Sequence, residues 1–296
     1  MADKMKIGFI GLGKMGNPMA KNLMKEGYLL SVYDVAKERM EELVVLGAKA
    51  TDSPMSLARN VEVIVSMILD DSVLETITVG ENGAFRGALP GTVFINMSTV
   101  SPQGSSSAAE EAKKRGIHYL QAPVVGSVPH ATAGTLTIFV SGSKEAYDKC
   151  RCIFDVLGQK SFYLGASSES LYLKLLVNMI LGITAAMAAE AFTFGERGGL
   201  NWEQMIEIVT NSLVGSPVLG YKKSLFMDRN YSPAFTVAQI AKDFDIALNA
   251  GKSLSAPMPL TSLVRQFYAE MQARKRGELD YFSLVGWMDE LSTALK

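Results

Sequence analysis

The 296-residue chain is 48% hydrophobic and 20% charged, which excludes a disordered or low-complexity polypeptide and leaves room for two domains with cores of their own. Its net charge of −1 argues against general attraction to nucleic acid, which needs a basic surface. With two cysteines and two histidines no zinc-type cluster can be built, and Cys150 and Cys152, one residue apart on a predicted helix, point to different faces.

The polar residues Met1 to Lys6 and the short run after them read as neither signal peptide nor membrane anchor, so a reducing cytoplasm is the expected compartment. Ile7 to Ile10 is an apolar strand that stops at glycine, and Asn17 to Lys25 is helical. Between them lies Gly11-Leu12-Gly13-Lys14-Met15-Gly16, a G-x-G-x-x-G turn. In such a turn the first glycine permits the tight bend, the second lets backbone approach a pyrophosphate, and the third lets helix pack on strand. The pyrophosphate sits at the positive end of the new helix. A second strand, Leu29 to Tyr33, ends in Asp34, where a ribose-binding acid is expected. Its charge predicts NAD in preference to NADP, although Lys37 and Arg39 nearby leave NADP open; the alternative for Asp34 is a helix N-cap.

Strand and helix patterns then alternate: a helix over Ala36 to Leu46 closed by Gly47, a short helix capped by Ser53-Pro54, and strands Val61 to Met67 and Val93 to Met97. Ser101-Pro102 caps a helix that runs to Arg115 and closes at Gly116. The alternation predicts a mostly parallel sheet covered on both faces, with ligands beyond the carboxyl ends of its strands. Leu69, packing on adenosine, and Thr99, hydrogen-bonding near a nicotinamide, are the candidates there; ordinary helix capping is the alternative for Ser98 and Thr99. Small residues from Gln121 through Gly126-Ser127 to Gly134 form a loop whose backbone can approach a small ligand, and His130 within it reads as surface decoration. A strand over Thr135 to Val140, a helix over Lys144 to Leu157 and a short strand over Ser161 to Leu164 complete a first domain, 1–165.

From residue 166 to 296 the pattern is helical: Leu171–Phe194, Trp202–Leu213, Val237–Ala250 and Pro259–Arg276. Leu171–Phe194 is apolar around most of its circumference and is expected to be buried. Lys174, Asn178 and Glu190 interrupt it, which argues against a membrane span. Lys174 and Asn178 share one face of the helix. Beside a dinucleotide, a desolvated lysine can give or take the proton of a hydroxyl while asparagine orients it or holds a substrate oxygen. A lysine whose stem packs while its amine reaches water is the structural alternative. The neighbours Lys242 and Asp243 read, on their own, as surface charge.

Taken in order, the run Gly8 to Ala20, Met97-Ser98-Thr99-Val100, Ala122-Pro123-Val124 with Gly134-Thr135-Leu136, Lys174 with Asn178, and Lys242-Asp243 resemble the β-hydroxyacid dehydrogenases over nearly the whole chain. This is the group of 3-hydroxyisobutyrate dehydrogenase, tartronate semialdehyde reductase and glyoxylate/succinic semialdehyde reductase. The resemblance implies an α/β fold: a Rossmann-type doubly wound parallel sheet followed by an all-α domain on a long interdomain helix. It further implies catalysis by Lys174, substrate contact by Asn178, cofactor contacts from Thr99 and Lys242, and homodimers or homotetramers acting on a small carboxylate. Two of the motifs depart from the family's pattern. The family's usual Asp-Ala-Pro-Val-Ser-Gly-Gly has Gln121, Val125 and Ser127 at the altered places, leaving backbone N–H groups of Gly126 and Ser127 to hold the substrate carboxylate. Its usual Gly-Asn-Gly before the lysine is Ser168-Glu169-Ser170. The expected activity is hydride transfer between a nicotinamide and a small β-hydroxyacid or its semialdehyde. An imine reductase-like enzyme and a non-catalytic NAD(P)-binding scaffold are the alternatives.

Overall fold

The structure is a computed structural model describing residues 4–294, so the first three residues of the polar N-terminal segment lie outside it. The chain gathers into two compact units, one ending at Lys174 and one beginning at Leu175.

The first unit is built on strands β1 (Ile7–Ile10), β2 (Leu30–Tyr33), β3 (Lys49–Ala50), β4 (Val63–Ser66), β5 (Val93–Asn96), β6 (His118–Gln121), β7 (Val124–Val125), β8 (Leu136–Gly142) and β9 (Gly158–Gly165). They form one sheet in the order β3-β2-β1-β4-β5-β6-β8-β7, with β9 beside β8. Strands β1 to β6 run parallel, whereas β8 is antiparallel to β6 and β7. The order 3-2-1-4-5-6 is the doubly wound dinucleotide-binding arrangement, whose switch point lies between β1 and β4. β1, β4 and β5 are buried along their whole length because both faces are covered. The two-residue period of a strand sends Ile7, Phe9, Val63 and Val65 into one core and Ile10, Ile64 and Phe94 into the other.

The helices of this unit are α1 (Gly16–Lys25), α2 (Glu38–Val45), α3 (Pro54–Ala58), α4 (Asp71–Thr78), α5 (Pro102–Lys114), α6 (Val128–Ala133), α7 (Lys144–Lys149) and α8 (Arg151–Leu157). Ser53 and Ser101 cap α3 and α5 as expected, and Asp70 caps α4. The single helix expected over Lys144 to Leu157 is instead two, broken where Cys150 leaves helical geometry at φ −95° and ψ 7°. Both halves still bury their apolar residues in one core, so periodicity carries no sign of the break.

A 29-residue helix, α9 (Glu169–Arg197), begins in the first unit and runs into the second. It is followed by α10 (Trp202–Asn211), α11 (Pro217–Tyr221), α12 (Lys223–Met227), α13 (Val237–Ser253), α14 (Pro259–Ala273) and α15 (Leu284–Ala294). Their core includes edge-to-face rings of Phe192, Trp202, Phe226 and Phe282. The expectation that α9 is buried on most sides is corrected: Leu176, Ile180, Met187 and Phe194 are 50%, 58%, 52% and 81% exposed. By length and composition α9 would also pass as a membrane span despite its polar interruptions, as core helices of soluble proteins do. Lys174 and Asn178 are nevertheless buried.

Candidate active site

The turn from β1 to α1 places its three glycines in three different surroundings. Gly11 has φ +90°, and a Cβ there would strike the Met67 carbonyl. Gly16 is buried, and a Cβ on it would strike the Gly11 carbonyl. At Gly13 a Cβ would meet nothing within 4 Å, so this backbone is open to a ligand. Met15, at the N-cap of α1, supplies no capping side chain, and the Asn17 N–H turns back to the Gly13 carbonyl at 3.0 Å. Leu12 is buried and Lys14 exposed.

Asp34 is 5% exposed at the end of β2. Its Oδ2 accepts the Leu12 N–H at 2.7 Å and its Oδ1 the Ala36 N–H at 2.9 Å, with the Arg39 guanidinium 3.5 Å from Oδ1. The acid thus holds the glycine turn in place, with Oδ1 shared between the Ala36 N–H and the Arg39 guanidinium.

Beyond β4 and β5 a buried polar network sets the next two loops. Ser98 Oγ accepts the Ile68 N–H at 2.7 Å, which ties the turn carrying Leu69 to the turn carrying Thr99. Ser98 is therefore not a helix cap; Ser101 does that work. Leu69 is 72% exposed and Thr99 half-buried. Asn96, Ser105, Tyr119 and Gln121 complete the network. Burial pushes the Tyr119 phenol up to about 12, so it stays neutral there.

In the following loop Gly126 has φ +139°, a conformation that side-chain-bearing residues rarely adopt. His130 is not surface decoration. Its Nδ1 accepts the Ser127 N–H at 3.2 Å and lies 3.1 Å from Ser127 Oγ, closing the first turn of α6. Both the N–H and the hydroxyl of Ser127 are thus engaged within this turn.

On α9, Lys174 is 9% exposed and Asn178, one turn on, is 1% exposed. Asn178 Nδ2 donates to Asp243 Oδ2 at 2.5 Å, and the Lys242 ammonium lies 3.1 Å from Asp243 Oδ1. Asp243 is only 3% exposed, so the reading of Lys242-Asp243 as a surface pair fails for the aspartate. The signal was present in the sequence: Asp243 lies three residues after Ile240 and four before Ala247 on the apolar face of α13. Among the described residues there is no group of three His, Cys, Asp or Glu that could hold a metal ion.

Residues 6–165 match the NAD binding domain of 6-phosphogluconate dehydrogenase, and residues 170–288 match the NAD-binding family of NADP-dependent 3-hydroxyisobutyrate dehydrogenase. The chain is 32% identical to 2-(hydroxymethyl)glutarate dehydrogenase of Eubacterium barkeri, over 99% of its own length and 97% of that protein's. It is 33% identical to NAD-dependent L-serine dehydrogenase of Pseudomonas aeruginosa, covering 95% and 96%. The solved 3-hydroxyisobutyrate dehydrogenase of Mycobacterium tuberculosis with L-serine superposes with a TM-score of 0.89 at 25% identity, covering 97% of this chain and 99% of that one. An imine reductase from Pseudomonas sp. reaches a TM-score of 0.60 at 22% identity and shares the fold alone. The chain belongs to the β-hydroxyacid dehydrogenase family. It is an NAD(P)-dependent oxidoreductase acting on a small hydroxyacid or the matching aldehyde.

Proposed function

We propose that the chain is an NAD-preferring dehydrogenase of acids of the form HOCH2–CHR–COO−, with Lys174 as the proton donor and acceptor. The observation that carries this is the burial of Lys174 on α9, one turn before Asn178. A lysine amine held on a packed helix can give and take a proton at a fixed place, which suits a group that must exist in both forms during turnover. The form of the substrate follows from what the relatives are named for: 2-(hydroxymethyl)glutarate, L-serine and 3-hydroxyisobutyrate all carry a primary hydroxyl one carbon from a carboxylated centre.

When bound, the nicotinamide supplies or takes the hydride. The residues 1–165 hold it: backbone of Gly11, Leu12, Gly13, Lys14, Met15 and Gly16 around the pyrophosphate, Asp34 at the ribose, Leu69 against the adenosine and Thr99 near the nicotinamide. Asp34 disfavours a 2′-phosphate by charge and so selects NAD over NADP. In residues 166–296, Lys242 contacts the cofactor and Asn178, fixed by Asp243, holds a substrate oxygen. Gly126 and Ser127 hold the carboxylate in place of the serine that Val125 replaces. In oxidation the neutral Lys174 amine takes the hydroxyl proton as the hydride leaves carbon, and in reduction the ammonium returns it.

Homodimers or homotetramers and a cytoplasmic setting complete the reading, supported by the exposed apolar stripe of α9 and by two unpaired thiols. The test is turnover with NAD and NADP against L-serine, 3-hydroxyisobutyrate and 2-(hydroxymethyl)glutarate, with succinic semialdehyde, glyoxylate and a cyclic imine in the reducing direction. Turnover of a hydroxyacid or semialdehyde, faster with NAD(H), is expected. Lys174→Ala should lower kcat by at least about 100-fold while NADH still binds. Reduction of the imine alone would favour the imine reductase reading, and NADH binding without any turnover the scaffold reading.

A further inference from the structure

Two of the departures from the family's usual pattern, Gln121 and Ser170, meet in the structure. Ser170, Ser141 and Gln121 are 0%, 0% and 1% exposed. The Ser170 N–H donates to Ser141 Oγ at 3.3 Å, the two hydroxyl oxygens are 2.6 Å apart, and Ser170 Oγ donates to the Gln121 backbone carbonyl at 3.1 Å. A carbonyl can only accept, so the single hydroxyl hydrogen of Ser170 is committed to Gln121. The hydrogen between the two serines then belongs to Ser141. The relay has one direction: Ser170 N–H to Ser141 Oγ–H to Ser170 Oγ–H to the Gln121 carbonyl.

The side chain of Gln121 grips the other way. Its Nε2 donates to the Ser98 carbonyl at 2.8 Å, while its Oε1 accepts from Ser105 Oγ at 3.0 Å, Tyr119 OH at 3.0 Å and Asn96 Nδ2 at 3.1 Å. One residue therefore holds the carbonyl just before Thr99 and the turn of α9 just before Lys174. The family's usual residues can do neither. Glycine at 170 has no hydroxyl, and aspartate at 121 has no N–H for the Ser98 carbonyl.

We propose that Gln121 and Ser170 are positioning residues that set Lys174 and the Ser98–Thr99 turn in one fixed register. The proposal rests on Lys174 as the proton-transfer group. Burial and full satisfaction of the relay make it rigid, because every broken link leaves a buried polar atom without a partner.

The experiment compares Lys174→Ala, Ser170→Ala, Ser170→Thr and Gln121→Glu in the full-length protein, on whichever hydroxyacid the wild type turns over. Ser170→Ala is expected to lower kcat at least about tenfold and to move the pH limb of kcat, with KM for NAD within about twofold, as a misplacement of the reacting group does. Ser170→Thr, which restores the hydroxyl, should recover most of the loss. Gln121→Glu keeps the shape but puts a carboxyl oxygen against the Ser98 carbonyl. Its deficit should shrink as pH falls and the carboxyl gains a proton to donate, with Tyr119 neutral beside it throughout. This second variant decides the matter if threonine proves too large to fold. A drop in melting temperature with kcat and its pH limb unchanged in both Ser170→Ala and Gln121→Glu would overturn the proposal and leave a purely structural brace. Undiminished turnover in Lys174→Ala would instead overturn the reading of Lys174 itself.

Discussion

Asp34 has one task in the fold and a second in the proposed cofactor site. It fastens the glycine turn through the Leu12 N–H, and in the proposed site its Oδ2 is the oxygen left to meet a ribose hydroxyl. The Arg39 guanidinium 3.5 Å away is poised to change sides: with the aspartate charged it pairs with Asp34, and with that charge removed it is available to a 2′-phosphate. Asp34→Asn retains an acceptor for the turn but no charge. The ratio of kcat/KM for NADPH to that for NADH should rise at least about tenfold, the size of one charge-assisted contact. An unchanged ratio in steady-state assays would show that charge at this position does not choose the cofactor.

At the scale of elements, the β1–α1 turn separates two glycines that a sequence motif treats alike. Gly16→Ala forces a Cβ into the Gly11 carbonyl, so the helix must move away from the strand; melting temperature should fall, by an amount equivalent to about 1–3 kcal/mol of overpacking. Gly13→Ala meets open space, so melting of the cofactor-free protein should be unaffected while the NADH dissociation constant rises at least about tenfold. Calorimetry of both variants, with and without NADH, reads the difference directly; equal effects on stability would refute it. The elements that sequence revealed were those with a strong local signature. β1, β4 and β5 are continuous β-branched or aromatic runs, and α3 and α5 open on serine-proline caps. What it concealed depends on tertiary context. β3 is two exposed residues held by pairing with β2, α11 and α12 are five residues each, and the break at Cys150 interrupts a pattern that stays helical on both sides. The site divided the same way. Lys174 and Asn178 stood out as candidates by their shared helix face and by the family resemblance, whereas the contacts of Gln121, Ser170 and Asp243 lie mostly in partners 16 to 65 residues away in sequence.

For the whole molecule the informative feature is what remains uncovered. Within the helical unit Lys222 reaches Asp280 at 2.6 Å, with both side chains buried among aromatic rings. Yet Leu176, Ile180 and Met187 stand half exposed along one helix, at spacings of four and seven residues that keep them on neighbouring turns of one side. An apolar stripe of this kind marks a surface suited to another protein surface, and under the proposed homo-oligomer a second copy of the chain is the fitting partner. Light scattering behind size-exclusion chromatography should therefore give a mass of at least twice the 32.0 kDa of one chain. Ile180→Glu, which places a charge at the centre of the stripe without touching the buried face, should return the mass toward a single chain or a smaller assembly, because burying an unpaired carboxylate in an interface is strongly unfavourable. A wild-type protein that elutes as one chain would exclude this assembly, and an oligomer indifferent to Ile180→Glu would move the interface to another face of the molecule.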